Sequence, residues 1–257
     1  MRRLAACLLS GVFAVSWLVL PGFGLIDLSV TWDAEWPQVL EAGWGLFATV
    51  IVGASFALCA SRPRASVPAA AQLVVATGSL AVSALVARES GVVLLAALLA
   101  LQTVIVCGLL RGAWQDATAL GGPSAGVSRP LLLLAGAGAV PWLAYAVHMW
   151  SLNREGRSDS DITMGVDHYS VQGALALTLV VLPLLAAART DLRGFVAVCA
   201  GVAASYVGLV SLAWPDAAGG LGREWSIAAM VWGLALIAAT LARRIRAVPL
   251  DLNPPAG

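Results

Sequence analysis

The chain has 257 residues, of which 60% are hydrophobic and 11% charged, with a formal net charge of +1. Soluble domains carry about a quarter charged residues, so a soluble enzyme and a nucleic-acid-binding protein are both excluded as classes. An all-α, polytopic transmembrane helix bundle remains, forming a single domain over residues 1–257 with the lipid bilayer as its first partner.

Apolar runs of about 20 residues, each able to cross about 30 Å of hydrocarbon as a helix, recur along the chain. They predict about eight helices, near 4–26, 39–60, 67–87, 91–110, 131–150, 168–188, 194–214 and 225–241. No stretch between them is long enough for a separate soluble domain. The first run follows Arg2 and Arg3 as a signal peptide would, but the sequence after it, "PGFGLID", offers no small-residue cleavage site. A retained helix is the expectation.

All fifteen basic residues are arginines. With the N-terminus inside, eleven fall on the cytoplasmic face, leaving Arg88, Arg154, Arg157 and Arg223 outside. Arginines flanking membrane segments are retained on the cytoplasmic side, so both termini are expected in the cytoplasm of a bacterial plasma membrane. Acidic residues segregate oppositely, with only Asp116, Asp191 and Asp251 of the fourteen inside.

Along the second segment, Gly45, Thr49 and Gly53 form a small-residue stripe. Ala76 and Ser83 near Gly78 in the third, and Ala197, Gly201 and Ser205 in the seventh, form others. Such stripes let helix backbones approach, so they read as contact seams. Pro141 and Pro183 fall inside the fifth and sixth segments, where a missing N–H bends a helix. Trp32, Trp36, Trp44, Trp214 and Trp225 read as an aromatic belt at the outer interface. Cys7, Cys59, Cys107 and Cys199 lie in separate apolar segments without CxxC spacing, which predicts neither a disulfide nor a cysteine zinc cage.

Helix centres lack Asp, Glu, Lys and Arg, which argues against an ion-coupled pump. Gln102 and Thr103 are the main polar pair at depth, and Ser205 with Tyr206 forms a second polar spot. A permease would have to line its path with these four; otherwise they make helix-to-helix hydrogen bonds.

Charge concentrates in one loop, "NREGRSDSDITMGVDHYSVQ" at 153–172. The only two histidines, His148 and His168, flank it at similar depth across a hairpin. Neutral imidazole is the commonest metal ligand, so this pair could hold a divalent metal or, alternatively, a haem. Asp161 and Asp167 would add hard oxygen ligands, with Asp159, Thr163, Tyr169 and Gln172 as supporting groups. The competing reading makes Asp167 the N-cap of the sixth helix, Gly165 the turn before it, and the remaining charges solvated loop residues.

The run "DITMGVDHYSVQGALAL" at 161–177, with the Arg-only, Ala-rich composition, resembles multi-pass membrane proteins of high-GC actinobacteria that have no named activity. That resemblance implies no substrate and assigns no residue a role. The sequence therefore favours a non-enzymatic scaffold or accessory subunit, with other membrane proteins as partners. A small-solute permease or channel is one alternative. An outward-facing metal-dependent membrane enzyme or metal-binding protein, built on the 148–168 hairpin, is the other.

Overall fold

The computed structural model describes residues 1–119, 126–157, 162–163 and 165–246. Asp159 and Asp161 lie outside the described residues. The chain is an all-α helical bundle: α1 Arg2–Leu18, α2 Gly24–Val30, α3 Gln38–Leu46, a π-helical stretch Phe47–Gly53, α4 Ala54–Ser61, α5 Val67–Ala87, α6 Ser90–Ala119, α7 Arg129–Glu155, α8 His168–Ala188, α9 Arg193–Ala213 and α10 Arg223–Arg246.

Among the described residues, seven helices are long and apolar enough to cross a membrane, α3, the π-helical stretch and α4 counting as one from Gln38 to Ser61. The protein is a multi-pass membrane protein. The 17 residues of α1 reach about 25 Å at 1.5 Å per residue, and α1 packs alongside as a further apolar helix. The expected first segment through Ile26 is corrected here: the helix stops at Leu18, and α2 starts separately at Gly24. Pro21 and Gly22, in the break, oppose helix continuation.

Local chemistry explains the other boundaries. Pro68 and Pro130 occupy first-turn positions of α5 and α7, where a missing N–H costs no helical bond. Gly156 ends α7 at φ 66°, a left-handed cap that glycine adopts without Cβ strain. Pro141 and Pro183 lie within helices that continue past them. Before α8, Ile162–Thr163 and Val166–Asp167 pair as a short antiparallel hairpin turning at Gly165, φ 75°.

The Gln38–Ser61 span is the central one, with 78% of its most apolar window buried, against 33% for α7 and 28% for α10. It packs against α1, α5, α8 and α9, while α7 pairs with α8 and α10 with α9. All three small-residue stripes are seams. A Cβ on Gly45 would meet Leu28 and the Gly24 carbonyl, and one on Gly201 would meet the Gly233 carbonyl; Ala76 and Ser83 are buried, Ser83 donating to the Ser170 carbonyl of α8, while nearby Gly78 faces open space.

Candidate metal centre

Three glycines set the geometry at the end of the bundle where α8 begins. Gly24 and Gly45 bring α2 against α3: a Cβ on Gly24 would lie 2.8 Å from Thr49 Cγ2, and one on Gly45 2.9 Å from the Gly24 carbonyl oxygen. Gly43 makes room between α3 and α8, where a Cβ would coincide with the Gln172 amide oxygen. Asp27 lies three residues past Gly24, Glu41 lies four before Gly45, and His168 lies one turn before Gln172. Close backbone approach therefore gathers two carboxyl groups and an imidazole from three helices.

Asp27, Glu41 and His168 are all buried, and a ligand atom of each lies within 4.8 Å of the other two. His168 Nδ1 stands 3.3 Å from Glu41 Oε1. Zinc bonds of about 2.0–2.1 Å in a tetrahedron put ligand atoms about 3.4 Å apart, so this pair already has the spacing of two ligands on one ion. Asp27 completes the group, its carboxylate oxygen within 4.8 Å of both. Two ionised carboxylates and a neutral imidazole would leave a divalent cation site electrically neutral, which matters because an uncompensated buried charge is costly.

The imidazole is held in place for this role. Its Nε2 lies 2.9 Å from the Thr163 hydroxyl on the hairpin, which leaves Nδ1 facing Glu41. The Trp44 ring stacks on it at 5.0 Å and 19°, and Trp44 Nε1 donates to the Gly22 carbonyl at 2.8 Å. An imidazole fixed through its distal nitrogen is the usual arrangement of a histidine ligand. Trp44, expected in the interfacial belt, is 1% exposed and forms a wall of the cluster; Trp32, Trp36 and Trp225 are exposed.

Asp167 caps α8, its carboxylate accepting from the Tyr169 N–H at 2.8 Å. Its own N–H donates to Glu89 Oε1 at 2.6 Å, tying the α5–α6 turn to the start of α8. Burial pushes the Glu89 carboxyl above its ordinary value, against hydrogen bonds from Asp167, Ser170 and Asn153 that pull it down. Gly91 lets the hairpin lie close, since a Cβ there would meet the Gly165 carbonyl.

The two histidines occupy different surroundings. His168 is buried between α3 and α8, whereas His148 is exposed on α7 and lines a groove with α10. Tyr169 is buried in the core, and Gln172 Nε2 donates to the Tyr145 hydroxyl at 2.8 Å. Three of the four path residues are hydrogen-bonded to separate neighbours, while the buried Thr103 hydroxyl has no hydrogen-bond partner among the described residues. Trp17 Nε1 donates to Gln102 Oε1 at 2.8 Å, beside buried Thr103. Trp32 Nε1 donates to the Tyr206 hydroxyl at 3.1 Å, and the Ser205 hydroxyl to the Met230 carbonyl at 3.3 Å.

Sequence reasoning missed Asp27 and Glu41 as partners of His168, and Gln72 as a buried polar group. Glu41 had a readable signal: "LEAGWG" places an ionisable residue in an apolar run beside two glycines, and such residues are kept in membranes for a purpose. Gln72 donates to the carbonyls of Val50 and Ile51 in the π-helical stretch, at 3.2 and 2.9 Å. No protein-family model, curated protein or solved structure matches this chain.

Proposed function

We propose that this protein binds a divalent metal ion, zinc by the chemistry of its donors, at the outer end of a bundle in a bacterial plasma membrane with both termini cytoplasmic. The observation that carries the reading is the buried convergence of Asp27, Glu41 and His168. Two oxygens and one nitrogen suit zinc, and three protein ligands leave a fourth position for water or a substrate group. In that position zinc would lower the pKa of a bound water and make it a nucleophile near neutral pH. The segregation of arginines supports the outward placement.

Glu41 and Asp27 supply the charge that holds the ion, His168 the directional nitrogen, Thr163 the orienting contact and Trp44 the wall that excludes solvent. A second reading, in which the ion is cargo, draws on one observation. The cluster sits at one end of the most buried span, which continues into a π-helical stretch whose carbonyls are met by Gln72. π-Helical stretches occur often at functional sites.

The test is a titration of chelator-stripped protein in detergent with zinc. Saturation near one equivalent in the wild type, abolished in Glu41→Gln and weakened in Asp27→Asn, is the expected result. Absence of binding in the wild type would overturn the proposal.

A further inference from the structure

The inner end of the bundle uses its arginines in two different ways. On the α8–α9 side they are engaged within the protein: Arg189 grips Asp191 through Nε and Nη2 at 3.0 and 2.8 Å, and Arg193 donates to the carbonyls of Ala186 and Gly126 at 3.2 and 2.7 Å. On the other side, Arg2 and Arg3 open α1, Arg62 and Arg64 stand in the turn between α4 and α5, and Arg111 lies on α6. All five are exposed, and none of their guanidinium groups has a hydrogen bond or ion pair with a described residue.

Helix contacts bring the five to one corner. Leu18 borders Gly53 and the Phe13 ring meets the Phe56 ring at 5.4 Å, so α1 runs antiparallel to α4. Trp17 donates to Gln102 on α6, and both α1 and α6 pack on the turn Pro63–Ala65. Counted inward at about 1.5 Å per residue, Arg62 lies about 9 Å beyond Phe56, and Arg3 about 15 Å beyond Phe13. By the same count Arg111 lies about 14 Å beyond Gln102, and Arg3 about 21 Å beyond Trp17. The arginines therefore share a band about 10 Å deep, with Arg62 and Arg111 nearer the membrane centre. Its floor is clamped: Trp114 Nε1 donates to the Ser66 hydroxyl at 3.0 Å, and that hydroxyl donates to the Pro63 carbonyl at 2.8 Å.

Position and charge choose the partner. The segments that carry these arginines, 1–8, 58–66 and 108–119, contain one acidic residue, Asp116, against the five positive charges. Towards the membrane centre the adjoining surface is open and apolar, with Leu8 and Val12 on α1 each 62% exposed and Leu101 and Val104 on α6 59% and 68%. Any phospholipid would cover that surface, but only an anionic one also answers the charge above it. Basic groups clustered at the cytoplasmic ends of membrane helices suit anionic head groups, and the guanidinium fork matches phosphate oxygens two at a time.

We infer that the inner corner formed by α1, the α4–α5 turn and α6 is a binding site for an anionic phospholipid, its phosphate held by Arg62, Arg64 and Arg111 with Arg2 and Arg3 as outer contacts. The site lies at the opposite end of the bundle from Asp27, Glu41 and His168 and stands whether or not a metal binds there.

The test is an arginine footprint of the wild type in detergent, with cardiolipin or with phosphatidylcholine of the same chains added before phenylglyoxal, which modifies guanidinium groups. Peptide mapping should show cardiolipin slowing modification of Arg62, Arg64 and Arg111 several-fold while Arg88 and Arg223, at the outer end, react as before. Phosphatidylcholine should protect none of them. Native mass spectrometry of Arg62→Gln/Arg64→Gln/Arg111→Gln should then find cardiolipin bound about 10-fold or more weakly. Arg88→Gln/Arg154→Gln/Arg223→Gln, which removes the same charge from the outer end, should bind as the wild type does. Equal protection by the two lipids would overturn the inference, as would equal loss in the two triple variants, which would report net charge alone. Protection by millimolar inorganic phosphate as strong as by cardiolipin would also overturn it, since the corner would then hold free anions. The footprint needs no variant, so it decides the matter even if the neutral protein fails to insert.

Discussion

The contact between α3 and α8 and the groove between α7 and α10 lie at the same end of one bundle and solve opposite problems. At the first, Gly43 makes room for the Gln172 side chain of α8 and Gly45 lets α2 close on α3, and the polar groups nearby are gathered away from water. At the second, α7 and α10 meet where the Trp232 ring lies against Gly138, and the space left beside that contact is apolar. One histidine belongs to each. Close approach turns His168 into a partner of carboxylates, while separation leaves His148 facing outward. A residue's chemistry in a membrane bundle is thus decided less by its identity than by how near the next backbone can come.

The comparison is broken most forcefully at the glycines. Gly45→Ala places a methyl 2.7 Å from Leu28 Cγ and 2.9 Å from the Gly24 carbonyl oxygen, so α2 must move away from α3. A cost of about 1–3 kcal/mol is expected from such overpacking, read as a lower thermal midpoint together with weaker zinc binding. Gly78→Ala, into open space, should be neutral or stabilising by up to about 1 kcal/mol. Equal effects of the two would mean that close approach of α2 and α3 is not what builds the cluster.

Next in size is Trp44→Leu, which removes the stack on His168 and the bond to the Gly22 carbonyl. A loss of about 1–2 kcal/mol is expected in melting experiments, with zinc affinity reduced but not abolished. Thr163→Val should leave stability nearly unchanged and weaken zinc about 10-fold or more, the range for groups that orient a ligand. Titration calorimetry of the variant separates the two, and unaltered affinity would remove Thr163 from the site.

The smallest effect concerns Glu89. Because burial raises its carboxyl above the ordinary value of 4.5, the folded state holds this proton more tightly than the unfolded chain does. Its contribution to stability is complete below pH 4.5 and is lost as the pH rises through the folded value. Glu89→Gln keeps an acceptor for the Asp167 N–H while removing the charge, so it should flatten the dependence of the melting temperature above pH 4.5. At pH 7 it should match or exceed the wild type. A variant less stable at pH 7 yet unchanged at pH 4 would show that the ionised form is the stabilising one.

Much of the fold was legible because the bilayer reads length and apolarity directly. The spans 67–87 and 168–188 match α5 and α8 residue for residue, the latter because Asp167 is a visible cap. The break after Leu18 was written in Pro21 and Gly22 but was masked by the apolar residues on both sides. The candidate site was legible only in part. His168 stood out as one of two histidines, whereas Asp27 and Glu41 are more than a hundred residues distant in sequence and meet it only through glycine-permitted contacts. Reading His148 as its partner relied on hairpin depth, which says nothing about the direction in which a side chain leaves its helix.

The most direct measurement is the metal content of the purified protein by mass spectrometry, for the wild type beside His168→Ala and His148→Ala. About one zinc per chain in the wild type and in His148→Ala, lost in His168→Ala, is the expected result. A metal-free wild type, or metal lost on replacing His148 and retained on replacing His168, would contradict the assignment of the buried cluster as the binding site.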